Sequence, residues 1–155
     1  MKQTAADIMT TKLVLLRPSD SVPRIAALLG EHQISAAPVV DAQGRLLGMV
    51  SEDDLIRPLG GKVETRRAWW LEMLAEGEAL APDFLDYLKR ESRTAAELMT
   101  RDVISVSPEA TVEEVVDLLI RHRIKRVPVL RDGHLAGIVS RADIIRNLPR
   151  AGAGR

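Results

Sequence analysis

Two short segments of the chain place a hydroxyl and a carboxylate at a spacing that suits a sugar phosphate. They are GMVSEDD at residues 48–54 and GIVSRAD at residues 137–143. In each, an apolar run ends at a serine and an aspartate follows three positions later. A hydroxyl can donate a hydrogen bond to a phosphate oxygen, and a carboxylate can accept one from each cis hydroxyl of a ribose. The candidate pairs are Ser51 with Asp54 and Ser140 with Asp143.

A helix that begins at each serine would strengthen such a site. Backbone N–H groups in the first turn of a helix lack partners within it, and the helix dipole favours negative charge there. Gly48 and Gly137, three residues before the serines, would let a flat ring approach the backbone closely. The same Ser-x-x-Asp spacing also describes an ordinary helix N-cap, so a purely structural role is the alternative interpretation.

Both segments lie in a longer internal repeat. When Gln43 is treated as a one-residue insertion, 22 of 55 aligned residue pairs are identical. Chance alone would give only a few identities, so the chain contains two copies of one structural unit. The expected boundaries are 1–59 for the first repeat, 60–93 for an insert, 94–149 for the second repeat and 150–155 for a disordered tail.

Each repeat predicts the same order of elements. In the second, residues 103–106 are typical of a short strand, Thr111 with Glu114 forms a capping-box pattern, and apolar residues then recur on one helical face. Two β-prone runs joined by Asp132-Gly133 predict a hairpin, and a short helix follows from about Ser140 to Asn147. The expected fold class is α/β (α+β), with two β-α-β-β-α repeats packed as a pseudo-twofold module around a shared core.

The insert contains all four aromatic residues of the chain. We expect it to be helical, with Trp69 and Trp70 on one apolar face and Pro82 at the start of a second helix. Such an insert could pack on the module, form a dimer contact or cover a cleft, because tryptophans contribute strongly to interfaces.

The composition argues against several classes of function. With 22 basic and 22 acidic residues, the formal net charge is zero and gives no general attraction to nucleic acid or anionic lipid. The absence of cysteine excludes disulfides, thiolate metal sites and cysteine nucleophiles. There is no apolar run of membrane-spanning length and no signal-peptide pattern at the start, so we expect a cytoplasmic protein without a membrane partner. No catalytic triad, metal cluster or ATPase-type phosphate loop points to an enzyme.

The ordered set of motifs resembles a pair of cystathionine-β-synthase (CBS) domains. The resemblance rests on the Met-Thr opening of each repeat, on ISAAPVVD at residues 34–41 and IKRVPVL at 124–130, and on the two Gly-apolar-apolar-Ser-x-x-Asp segments. It implies a regulatory Bateman module with two clefts for adenosyl ligands, namely AMP, ADP, ATP, S-adenosylmethionine or NAD, and commonly a homodimer. Bacterial pairs with a similar Trp-Trp insert often precede a BON domain.

The resemblance also implies roles for single residues. Asp54 and Asp143 would hold the ribose, while Ser51 and Ser140 would contact phosphate. The adenine would lie between the segment after each Met-Thr and the proline-containing segment of a repeat. The residues expected to contact adenine are Leu13, Ala37, Pro38, Val103, Val127 and Pro128.

The two expected sites differ in charge. The residue after the serine is Glu52 in the first repeat and Arg141 in the second, and the basic cluster RHRIKR at residues 121–126 is absent from the first repeat. Carboxylates would repel a phosphate, whereas Arg126 and Arg141 could bind it. We therefore expect the cleft built around Asp143 to bind nucleotide more tightly.

Other interpretations of the basic cluster remain open. Its members could simply favour the C-terminal end of a helix dipole. A nucleic-acid contact is disfavoured because no aromatic residues are interleaved with the cluster. His32 and His122 lack suitably spaced metal-ligand partners, so no metal is expected. For the whole chain, the alternative function is a ligand-free dimerisation or protein-interaction scaffold.

Overall fold

The computed structural model describes residues 2–56 and 92–153. The expected helical insert, with Trp69 and Trp70, lies almost entirely outside the described residues, and its boundaries stay predictions. The helices are α1 (Ala5–Ile8), α2 (Val22–Glu31), α3 (Glu52–Ile56), α4 (Ala95–Leu98), α5 (Val112–His122) and α6 (Arg141–Ala153). The strands are β1 (Ala36–Val40), β2 (Leu46–Ser51), β3 (Arg126–Arg131) and β4 (His134–Ser140).

The predicted hairpins and the mixed α+β fold class are confirmed. Strand β1 pairs antiparallel with β2, and β3 pairs antiparallel with β4. The second hairpin turns through Asp132 and Gly133, which have φ values of 53° and 81°. Positive φ at both central residues is characteristic of the type I′ turn, whose backbone twist matches that of the flanking strands. The Asp-Gly dipeptide therefore fixes the register that ends with Arg131 opposite His134.

The strand predicted at residues 103–106 is wrong. Only Val106 is bridged, in parallel orientation, to Val129. The Val106 N–H donates to the Pro128 carbonyl at 3.0 Å, and the Leu130 N–H donates to the Val106 carbonyl at 2.8 Å. A longer ladder would need the next hydrogen bond to come from the N–H of Pro128, which proline lacks. Pro38 limits the matching segment of the first repeat, where only Leu16 is bridged to Val39.

Each repeat instead begins with a short helix that the periodicity did not predict. Thr4 precedes α1 and Thr94 precedes α4, each in a capping box with the acidic residue three positions later. The Thr4 N–H donates to Asp7 Oδ2 at 2.8 Å. The same Thr-x-x-Asp/Glu pattern correctly predicted that α5 begins after Thr111. It could therefore have predicted the helices after Thr4 and Thr94 as well.

The two repeats exchange their first helices, which corrects the expectation of one shared core. Ala5 and Ile8 of α1 pack into the core of the second repeat, whereas Ala95 of α4 and Met99 pack into the core of the first. The first core is completed by Leu16, Val22, Ile25, Leu29, Ala37, Val39, Val50 and Leu55, and the second by Val115, Leu119, Val127, Val129 and Val139. Each core thus contains side chains from both repeats, and burial of both cores favours the pair over either repeat alone.

Backbone pairing fixes the exchanged segments. Thr10 exchanges two hydrogen bonds with Ile138 of β4, at 2.8 and 3.0 Å. A Cβ atom at Gly137 would lie 2.6 Å from Met9 Sδ and 2.9 Å from the Thr10 carbonyl oxygen, which leaves no room for one. The close approach expected at this glycine is therefore made by the other repeat's backbone rather than by a ligand ring. Gly48 has the same relation to Met99 and Thr100.

Helix α6 follows directly on β4 and runs past Asn147, the expected end, to Ala153. Its counterpart α3 follows directly on β2. Both predicted Ser-x-x-Asp segments therefore lie where a strand passes into a helix. Within residues 2–56 and 92–153, no helix combines the length and apolar character needed to cross a bilayer.

Candidate functional site

Ser140 and Asp143 form a reciprocal helix cap at the junction of β4 and α6. The Ser140 N–H donates to Asp143 Oδ2 at 2.8 Å, and the Asp143 N–H donates to Ser140 Oγ at 3.3 Å. The Ser140 hydroxyl also lies 3.0 Å from Oδ2. Asp143 is only 3% exposed. The ordinary helix N-cap, which was the alternative interpretation of Ser-x-x-Asp, is therefore present. It uses only Oδ2 of the carboxylate, so the role of Oδ1 depends on the groups around it.

The other oxygen, Asp143 Oδ1, receives two donors from different directions. The Thr10 hydroxyl of the exchanged segment donates to it at 2.8 Å. The Arg146 guanidinium, one turn further along α6, also donates to it, although the Arg146 side chain is 68% exposed. A carboxylate offers about four acceptor positions. These are occupied by the protein itself, so a sugar can bind Asp143 only by replacing one or more of these donors.

The first repeat builds a similar junction. The Ser51 N–H donates to Asp54 Oδ2 at 2.8 Å, and the Ser51 hydroxyl lies 3.2 Å from the same atom. Asp54 is 5% exposed. The helix that follows has five residues, against thirteen in α6. The sequence repeat is thus reproduced in geometry at both carboxylates.

The Asp143 cleft has a volume of about 510 Å³ and is lined by both repeats. Leu13 and Pro38 come from the first repeat, and Ser140, Arg141 and Asp143 come from the second. Four cationic side chains line it, those of Lys12, Lys125, Arg126 and Arg141, whereas Asp143 is the single carboxylate among its described lining residues. Residues expected to contact ribose, phosphate and adenine therefore line one cleft, and they are drawn from opposite repeats.

The Asp54 cleft is smaller, about 370 Å³, and reverses the arrangement. Ser51 and Asp54 come from the first repeat, whereas Val103 and Pro128 come from the second. Its charged lining residues are the carboxylates Glu52, Asp53, Asp54 and Asp102 and the cations Lys125 and Arg126. The two clefts thus have the same plan but opposite balance of charge.

One wall is common to both clefts. Ser35 and Ala36 of the first repeat and Lys125 and Arg126 of the second line each of them. The Arg126 guanidinium donates to Ser35 Oγ at 2.6 Å. Burial lowers the pKa of Arg126 from its usual value, and the Glu52 carboxylate acts in the opposite direction by favouring the charged form.

Two residues expected to contact adenine are placed elsewhere. The side chains of Ala37 and Val127 are fully buried in the two cores and are not among the described lining residues of either cleft. Successive side chains of a strand point to opposite faces, so the neighbours Ala36 and Pro38 line the clefts while Ala37 faces the core. This alternation can be predicted from the sequence, and it places Ala36 rather than Ala37 on the side of β1 that faces the clefts.

The basic cluster divides between two roles. Lys125 and Arg126 line the clefts. Arg121 forms an exposed ion pair with Asp117 one turn earlier, and Arg123 adopts a left-handed conformation, φ 54°, at the C-cap of α5. Within the described ranges, the cleft linings do not include residues 121–123.

Several cleft residues were missed from the sequence. Thr10, Lys12 and Ser35 line the Asp143 cleft, and Asp102 lines the Asp54 cleft. The repeated Met-Thr opening was a signal for Thr10, but its contact with Asp143 depends on the exchange of segments. Across the part of the chain that the structure describes, no group of three or more His, Cys, Asp or Glu side chains is arranged to hold a metal ion.

The fold and both repeats have counterparts among known proteins. Residues 5–61 and 95–150 each match the CBS domain family. The chain is 31% identical over 150 residues to the uncharacterized protein MJ1426 of Methanocaldococcus jannaschii, covering 92% of this chain and 89% of that protein. The CBS domain of a membrane protein from Sphaerobacter thermophilus is 33% identical, with a TM-score of 0.70 over 95% of this chain and 88% of that one. CBSX2 of Arabidopsis thaliana, in a crystal structure with AMP, is 25% identical, with a TM-score of 0.73 over 97% and 98% of the two chains.

Proposed function

This chain belongs to the CBS domain family, and from that premise we propose that it is a regulatory module that binds an adenine nucleotide in the Asp143 cleft. The observation that carries the proposal is the composition of that cleft. A buried carboxylate, a neighbouring serine and four cationic side chains meet there with apolar residues of the opposite repeat. A sugar, a phosphate and a flat base each require one of these groups.

The nucleotide would lie across the repeat boundary. Its ribose would bind Asp143, and its phosphate would face Ser140, Arg141 and Arg126. Leu13 and Pro38 would contact the adenine. The AMP complex of CBSX2 supports a ligand of this class, and AMP, ADP and ATP are the first candidates, with S-adenosylmethionine and NAD as further ones.

The charge balance supports nucleotide preference for the Asp143 cleft over the Asp54 cleft. Phosphate carries negative charge, so it is attracted by the four cations of the Asp143 cleft and repelled by the four carboxylates of the Asp54 cleft. These groups lie in concave, partly desolvated sites, where Coulomb interactions are stronger than in open water. The Asp54 cleft would therefore bind a phosphorylated ligand more weakly.

Binding would act as a signal without turnover of the ligand. Because residues of both repeats contact the same nucleotide, its binding free energy depends on how the repeats are arranged. A ligand shifts a conformational equilibrium only by its difference in affinity for the two states. We propose that the protein is cytoplasmic and that this difference in affinity for two arrangements of the repeats is what produces the regulatory signal.

Isothermal titration calorimetry with AMP, ADP, ATP, S-adenosylmethionine and NAD tests the proposal. We expect micromolar-range binding of at least one ligand. Asp143→Asn should weaken it strongly, whereas Asp117→Asn on the exposed face of α5 should leave it unchanged. Absence of binding by folded protein, or equal affinity in the wild-type, Asp143→Asn and Asp117→Asn proteins, would overturn the assignment.

The alternative, an interaction scaffold, is favoured by one observation. Ile120 on α5 and Ile145 and Leu148 on α6 are 72%, 64% and 57% exposed. Exposed apolar patches mark interfaces, and Ile145 and Leu148, three positions apart on α6, lie on one face of that helix. We propose that they contribute to a homodimer, to be tested by light scattering of the wild-type and Leu148→Glu proteins. A dimer in both, or a monomer in both, would argue against this surface.

A further inference from the structure

The wall between the two clefts supplies every cation that lines the Asp54 cleft among the described residues. Those cations are Lys125 and Arg126, and both also line the Asp143 cleft. The Asp143 cleft has Lys12 and Arg141 in addition. The Asp54 cleft therefore depends on charges that it must share, whereas the Asp143 cleft does not.

The sharing follows from a break in the internal repeat. Lys125 and Arg126 align with Ser35 and Ala36 of the first repeat. A symmetrical pair would offer each cleft its own basic residues from the opposite repeat. Here the first repeat offers small side chains, and the guanidinium of Arg126 reaches across to Ser35 Oγ. One basic dipeptide thus serves both sides of the wall.

A shared guanidinium cannot bind two phosphates with full strength at once. Arginine binds phosphate through parallel N–H donors of one planar fork, so engagement in one cleft turns those donors away from the other. A phosphate bound beside Arg126 also neutralises its charge. The Asp54 cleft would then present Glu52, Asp53, Asp54 and Asp102 with little compensation.

We propose that a phosphorylated nucleotide in the Asp143 cleft weakens binding of a second one in the Asp54 cleft, which in that state takes an adenosyl ligand without phosphate. This inference rests on the proposed function. The ribose contacts at Ser51 and Asp54 and the apolar contacts at Val103 and Pro128 need none of the shared cations. A neutral nucleoside should therefore be insensitive to occupancy of the neighbouring cleft.

Calorimetric titrations with AMP and with adenosine test the coupling. For the wild-type chain we expect two unequal steps with AMP, the first near one equivalent. Protein saturated at the first step should still bind one equivalent of adenosine. Two equal and independent AMP steps, or failure of adenosine to bind beside AMP, would overturn the inference.

The comparison that tests the coupling most directly uses Asp143→Asn, which should strongly weaken AMP binding in the Asp143 cleft. Since Lys125 and Arg126 are then available, AMP should bind the Asp54 cleft at least roughly fivefold more tightly than in the second wild-type step, which is the lower end of typical coupling between sites. Adenosine affinity for that cleft should not change. An unchanged AMP affinity would refute the coupling while leaving the proposed function intact.

A second variant tests the coupling independently in case the Asp143→Asn protein does not fold. Arg141 is exposed and lines only the Asp143 cleft among the described linings, so Arg141→Glu should repel phosphate from that cleft without removing a buried group. It should produce the same gain in AMP affinity at the Asp54 cleft. If wild-type protein binds neither AMP nor adenosine, the proposed function fails as well, and the two failures are thereby distinguished.

Discussion

The Thr10 hydroxyl donates a hydrogen bond of 2.8 Å to Asp143 Oδ1, across a sequence separation of 133 residues. Thr10 opens the first repeat, and Asp143 is the candidate ribose-binding carboxylate of the second. The backbone pairing of Thr10 with Ile138 holds the hydroxyl in place. The geometry of the cleft therefore depends on the exchanged segment as much as on the repeat that contains Asp143.

Replacing Thr10 by valine removes this hydrogen bond and keeps the side-chain shape. Asp143 is almost fully buried, so loss of a donor to its carboxylate should lower the free energy of unfolding by about 1–3 kcal/mol. Urea denaturation of the wild-type and Thr10→Val proteins measures the difference. Thr11→Val is the matched control, because Thr11 is exposed and adjacent. Equal effects of the two substitutions would show that the bond contributes nothing.

In the proposed complex, Arg146 would compete with the ribose for Asp143 Oδ1, to which its guanidinium donates. Because its side chain is 68% exposed, the ion pair should resemble a surface pair of up to about 1 kcal/mol, and Arg146→Ala should tighten AMP binding roughly two- to fivefold. Calorimetric titration gives the affinity. Arg121→Ala breaks another exposed pair, with Asp117, and should have no effect. Weaker binding by Arg146→Ala would mean that Arg146 contacts the nucleotide instead.

Gly137→Ala should destabilise the protein by about 1–3 kcal/mol, the usual cost of overpacking. Its new Cβ would lie 2.6 Å from Met9 Sδ and 2.9 Å from the Thr10 carbonyl oxygen. Gly30→Ala is the control, since a Cβ there meets no atom within 4 Å and alanine favours a helix by about 1 kcal/mol. Thermal unfolding should therefore shift in opposite directions for the two variants, and a common direction would contradict the exchanged packing.

Asp41 should contribute to stability in a pH-dependent way. Hydrogen bonds from the backbone N–H groups of Arg45 and Gln43, both at 2.9 Å, stabilise its carboxylate. They lower its pKa below 3.8, with the Arg45 N–H as the main cause, although burial opposes the shift. A depressed folded-state pKa gives stability that is complete above the unfolded pKa and is lost as pH falls through the folded value. The stability advantage of wild type over Asp41→Asn should therefore shrink below pH 3.8, and a constant difference would refute this.

The local features of the site could be predicted from the sequence, whereas the contacts between the two repeats that complete it could not. Ser140 and Asp143 were placed at a strand-to-helix junction because hydrophobic periodicity and capping patterns are short-range signals. Their partners Thr10 and Leu13 belong to the other repeat, and only tertiary packing brings them there. The resemblance to CBS pairs named Leu13 for adenine but did not say which aspartate it would accompany.

The charge asymmetry was partly predictable. Arg141 and Glu52 differ at matching positions, and this difference is retained in the linings of the two clefts. That Arg126 lines both clefts was not predictable. The clefts lie between the repeats, so the position of a β3 residue relative to both of them is known only once the two hairpins are packed together. The missing first strand could have been foreseen from Pro128, whose lack of an N–H is a property of the residue itself.

The exchange of α1 and α4 has a consequence for how such a chain could have arisen. A single repeat of this design cannot complete its own core, because the helix that fills it comes from the other copy. Two identical half-length chains could satisfy the same contacts by trading their first helices with each other. The present molecule has the arrangement of such a swapped homodimer within one polypeptide, and its two halves carry different charges at matching positions, such as Glu52 and Arg141.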